Sequence, residues 1–126
     1  MGKPINIYQV EKNVKLADGI FGVELIKPGL DGILGAHVIG VDSKKEYPRH
    51  THPYEHVLYL AKGSGWMVYW RDNQEYRFPL NEGDTFHLAG NIPHQVGAYS
   101  EGAIFFAVSP NSKSLHDPER MIILSK

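Results

Sequence analysis

The chain has 126 residues, a formal net charge of -1, seven histidines and no cysteine. That length suits one domain, residues 1–126, burying roughly two-thirds of the surface its unfolded form exposes. The balanced charge offers no basic patch for nucleic acid, since Lys44, Lys45 and Arg49 read as a solvated turn and strand edge, and the missing cysteines exclude a disulfide framework, a thiolate zinc site, a Cys-ligated iron–sulfur cluster and a Cys nucleophile.

Residues 1–10 lack the apolar stretch and small-residue cleavage site of a secretory signal. No segment is apolar over a length that spans a bilayer. A cytoplasmic location without a membrane partner is therefore expected. Turn signals follow at short intervals: Gly19, Pro28-Gly29, Asp31-Gly32, Pro48, Gly63-Ser64-Gly65, Gly83-Asp84, Gly90-Asn91 and Gly102. Between them lie short runs rich in Val, Ile, Phe, Tyr and Trp, which predict strands over 20–26, 33–41, 56–60, 66–70, 75–78, 84–88 and 103–108. Phe21, Val23 and Leu25 share one face of the first, and Phe86 and Leu88 share a face of a later one. Residues 71–74 read as a hairpin tip. Residues 114–120 fit one helical turn, and 121–124 a last strand. Many short strands at even spacing predict an all-β sandwich or barrel, its core at about 20–110.

The central segment carries His50, His52 and His56, and a fourth histidine, His94, follows Ile92-Pro93. In a strand, residues two apart point the same way, so His50 and His52 project together. Pro53 and Tyr54 turn the chain, because proline cannot donate to a ladder. The next strand starts at His56 and carries Leu58 and Leu60 on the same face. His94 opens another strand, with Val96 and Ala98 sharing its face. Imidazolium ions converging in an apolar barrel would repel one another, and each would be costly to desolvate. One divalent cation held by neutral imidazoles removes that problem, and imidazole suits Zn, Cu, Fe and Ni.

The spacing of these residues resembles the two motifs of the cupin superfamily. The first, G-x5-H-x-H-x3,4-E-x6-G, is met by His50, His52 and Gly63, with His56 where the family carries glutamate and Lys44 where it carries the leading glycine. The second, G-x5-P-x-G-x2-H-x3-N, is met more loosely by Gly83 and His94. Ala89, Asn91 and Ala98 stand at its proline, glycine and asparagine positions. The resemblance covers about residues 40–110. It implies a double-stranded β-helix, the jelly-roll barrel of a small single-domain cupin, with one metal inside on His50, His52, His56 and His94. It also implies a homodimer in many members. Histidine in place of glutamate resembles the four-histidine subgroup, whose members carry Mn, Fe, Ni, Cu or Zn and include oxygen-activating enzymes.

With a glutamate, such a site carries one net positive charge; with four neutral histidines it carries two. It should favour an anionic ligand such as an enolate, catecholate or carboxylate. Six-coordination leaves two positions open, whereas a tetrahedral zinc shell would be closed and structural. Two functions follow. One is a metal-dependent, dioxygenase-like oxidoreductase acting on a small anionic or enolisable molecule. The other is a non-catalytic module that binds a small molecule or is stapled by its metal. Phe86 and Tyr99 are candidates for lining a substrate pocket. Glu55 reads as a solvated turn residue, with orientation of a ligand imidazole as its alternative. His37 and His87 read as core or surface residues, His116 as exposed, and Gln95 as facing away from the metal. Sheet edges and the flanks 1–16 and 112–126 are expected to pair with a second subunit.

Overall fold

The period-two alternation becomes nine strands among the described residues, which are 4, 6, 14–26, 34–110 and 121–124 of this computed structural model. They are β1 (Val14–Ala17), β2 (Ile20–Ile26), β3 (Leu34–Val41), β4 (His50–Thr51), β5 (His56–Arg71), β6 (Gln74–Asn81), β7 (Thr85–Leu88), β8 (His94–Pro110) and β9 (Ile122–Ile123). Every pairing is antiparallel. One path runs β1-β2-β3-β8-β4-β9, and β5 joins it by pairing with β8 while also holding β6 and β7. The sheet curls into a jelly-roll β-barrel, the all-β architecture the pattern predicts.

Two long strands build the curl. Residues 56–60 and 66–70, expected as separate strands around a glycine turn, belong to one strand, β5, and Gly63-Ser64-Gly65 lies inside it. Its pairing with β8 slips between Leu60 and Lys62 and again between Gly63 and Gly65. Gly63 sits at φ +88° and Gly102, its neighbour on β8, at φ +73°. A left-handed glycine inside a ladder makes a bulge that bends the strand without ending it. The hairpin tip is as expected. Asp72 and Asn73 take φ of 53° and 61°, and Arg71 pairs with Gln74, a two-residue loop whose twist matches its strands.

The inner faces meet in one core of Ile20, Ile39, Val41, Tyr47, Leu58, Leu60, Met67, Leu80, Leu88, Val96, Ala98, Ala103, Phe105 and Ala107. Burying a side chain such as Phe105 or Leu60 contributes about 1.5–3 kcal/mol. Phe21 and Val23 lie on the opposite face of β2 from buried Ile20 and are only half-buried. The flanks expected at a subunit contact pair in part within this chain, β1 on β2 and β9 on β4. The helical turn at 114–120, His116 and Ile33 fall outside the described residues. Among the described residues, no helix is long and apolar enough to cross a membrane.

Candidate metal centre

β4 and the head of β8 bring the first histidines together. His50 is the register partner of His94, so the two rings stand side by side, with centroids 4.2 Å apart. His52, two residues along, joins them at 4.9 Å from His94 and 5.3 Å from His50. The turn at Gly90-Asn91 holds this geometry: the Asn91 amide donates to the His52 carbonyl at 2.8 Å, and Asn91 itself is left-handed, with φ 63°. All three histidines are buried, and one nitrogen from each lies within 4.8 Å of the others.

Backbone carbonyls orient these rings. Nδ1 of His50 donates to the Pro48 carbonyl at 2.7 Å, and Nδ1 of His94 to that of Ile92 at 2.8 Å. A weaker contact of 3.4 Å joins His52 Nδ1 to the Tyr54 carbonyl. A carbonyl only accepts, so Nδ1 must carry the proton and Nε2 keeps its lone pair for a metal. Tyr54 stacks on His52 at 4.5 Å and 10°, and Tyr47 packs on His50 at 4.5 Å.

The electrostatics favour neutral rings. Burial pushes His94 down to about 4, against a smaller upward pull from its bond to Ile92. Burial also holds His56 well below the ordinary histidine range, helped by the charges of His52, His94, His50 and His37.

The donor set fits a transition ion. An equilateral triangle of edge 4.8 Å, the widest the three nitrogens allow, has its centre roughly 2.8 Å from each corner. A metal–imidazole bond is about 2.0–2.1 Å. Contraction of each ring by under an ångström closes that gap.

His56, at the start of β5, is buried beside this set, 4.4 Å from His52 and 5.1 Å from His94 between ring centroids. It lies outside the three-nitrogen cluster. Its Nδ1 is buried with no hydrogen-bond partner, unlike the tethered Nδ1 atoms of the other three.

The histidines face a cavity of about 30 Å³ whose other walls are His37, Ile39, Tyr47, Tyr54, Leu58, Val96, Phe105, Ala107 and Ser109. Among the described residues, no carboxylate lines it. Glu55 is exposed and accepts a bond of 2.7 Å from His87 Nε2 on the surface, so it orients no cavity histidine. Phe86 packs against the core and Tyr99 is exposed; neither lines the cavity. His37 and Ser109 do, and strand parity carried the signal: His37 shares a face with Ile39 and Val41, and Ser109 continues the face of Phe105 and Ala107.

The fold resembles solved structures at low sequence identity. The oxalate decarboxylase of Bacillus subtilis matches with a TM-score of 0.76 at 18% identity, covering 98% of this chain and 33% of that one. The polyketide cyclase RemF from Streptomyces resistomycificus matches at 0.73 and 21%, covering 100% and 89%. A salicylate 1,2-dioxygenase from Pseudaminobacter salicylatoxidans matches at 0.65 and 17%, covering 77% and 28%. The chain thus spans about a third of the length of the oxalate decarboxylase. No curated protein matches it. The model of the cupin domain matches residues 38–109, more than half of the chain and the stretch that holds all four central histidines, and the chain therefore belongs to the cupin superfamily.

Proposed function

We propose that this cupin is a metal-dependent oxidoreductase with dioxygenase-like chemistry, acting on a small anionic or enolisable molecule. Its divalent transition metal is held by His50, His52, His56 and His94. The observation that carries the reading is a group of buried imidazoles, two firmly tethered through Nδ1, facing a largely apolar cavity. His56 completes the set because its ring is buried against His52 and held neutral. When bound, the ion supplies Lewis acidity and, if redox-active, electron transfer with dioxygen.

The chain supplies the rest. The Pro48 and Ile92 carbonyls fix ring orientation, while Ile39, Leu58, Val96, Phe105 and Ala107 keep water from the reacting groups. The space beside the histidines supports an open site over a closed structural one. A homodimer is part of the same proposal, supported by apolar side chains left on the outer face of the barrel, among them Val57 and Tyr59.

The test is metal quantification by mass spectrometry on the untagged chain, beside a His52→Ala/His94→Ala variant, followed by oxygen-electrode assays with catechols and enolisable acids. About one Mn, Fe, Ni or Cu ion per chain, lost in the variant, with oxygen uptake on at least one substrate class, is the expected outcome. Zinc alone, or metal without oxygen uptake, overturns the oxidoreductase reading and leaves a binding module. No metal after reconstitution overturns the metal site.

A further inference from the structure

Among the described residues, two buried polar atoms in the cavity have no partner: Nδ1 of His56 and Oγ of Ser109. Ser109 is completely buried and His56 nearly so. Orphaned buried polar groups are rare and costly, and they call for an account. The register places the two close together. Val57 pairs with Val108 and Leu58 with Ala107, so one step further along the same antiparallel strands His56 and Ser109 come opposite each other. Both line the cavity. On the other side of β8, Gly35 pairs with Ser109 and His37 with Ala107, which makes His37 the diagonal neighbour of Ser109 on the inner face.

We propose that His56 Nδ1 and Ser109 Oγ, flanked by His37, form a second polar pole of the cavity that binds an oxygen of the substrate. The inference rests on the metal reading above. With Nε2 of His56 turned to the metal, its Nδ1–H is a donor with nothing to donate to, and the Ser109 hydroxyl can accept or donate. A hydroxyl, carbonyl or carboxylate oxygen between them satisfies both. The metal takes the other, anionic end of the same molecule. Leu58, Phe105 and Ala107, on the same inner face, accept only a hydrocarbon stretch. The substrate class is then a short carboxylate or enolate with a second oxygen function a few atoms away, such as a hydroxy or oxo acid.

The experiment uses the full chain loaded with Co(II), whose visible absorption reports ligands at the metal. Wild type and Ser109→Ala are titrated with propanoate and with 3-hydroxypropanoate. Wild type should bind 3-hydroxypropanoate about ten-fold more tightly, the discrimination expected when a ligand satisfies otherwise unpaired buried groups. Ser109→Ala should erase that preference while leaving propanoate affinity and Co(II) stoichiometry unchanged. The variant deletes only an unpartnered hydroxyl, so its thermal stability without metal should equal or exceed that of wild type. A wild type with no preference, or one that binds Co(II) but neither acid, overturns the inference. So does a Ser109→Ala that weakens both acids equally or neither. If Ser109→Ala loses Co(II), the hydroxyl orients His56 and the inference is likewise overturned. Failure of the underlying metal reading is distinguishable, because wild type itself then takes up no Co(II).

Discussion

At the scale of single residues, His94 shows how burial turns a titratable group into an acid-sensitive point. Its folded pKa of about 4 lies below the ordinary 6.5. As pH falls through 6.5 the unfolded chain takes up a proton that the folded chain refuses until about 4. The metal-free fold is therefore at full stability above pH 6.5 and loses it progressively as pH falls towards 4. For His94 alone the linkage reaches about 2 kcal/mol by pH 5 and about 3 kcal/mol below pH 4. His56, lowered in the same direction by the same burial, adds to it. Urea midpoints measured in chelator should fall steeply from pH 7 to pH 5, and His94→Gln should flatten that profile. A wild-type midpoint that does not move over this range would show that His94 titrates normally.

At the scale of elements, the bend of β5 depends on Gly63. Its φ is +88°, and a Cβ there would run into the carbonyl of Gly102. Gly83 has a similar φ of +94°, but a Cβ there meets nothing within 4 Å. Gly63→Ala should cost about 3 kcal/mol or more, from backbone strain plus the clash, against about 1 kcal/mol for Gly83→Ala, where strain acts alone. Urea midpoints of the two variants decide it; equal losses would remove the close approach of β5 and β8 as the cause. The same pair shows where the sequence stops being legible. A bulge and a turn both select glycine for its left-handed backbone, so Gly63-Ser64-Gly65 and Gly83-Asp84 look alike until the register is known. The first lies within a strand and the second ends one. The strands themselves were legible because alternation such as Phe105-Ala107-Ser109 reports a face directly. The cavity wall was legible only in part. Parity tells which side of a strand His37 and Ser109 occupy, but depth along the barrel comes from pairing between residues far apart in the chain.

At the scale of the whole molecule, the barrel leaves an outer face that water alone does not explain. Across β8 and β5, half-buried Phe106 pairs with Tyr59 and half-buried Val108 with Val57, while their β3 partners Val38 and Ala36 are buried. Tyr59 remains 40% exposed and Val57 44%. Isolated apolar residues are normal on a surface; an apolar patch shared by two neighbouring strands is where the proposed dimer would form. A second copy is the commonest occupant of such a face in a two-fold assembly. A glutamate at Tyr59 would have to be buried without a partner in the dimer and would be hydrated in the monomer. Tyr59→Glu should therefore halve the mass seen by light scattering, from twice 14.2 kDa to 14.2 kDa, at concentrations where wild type stays paired. Because Tyr59 points away from the cavity, the monomeric variant should keep the metal stoichiometry of wild type, which separates lost assembly from lost folding. A wild type that runs at 14.2 kDa throughout, or a Tyr59→Glu that stays dimeric, would mean that this face is not where two copies meet.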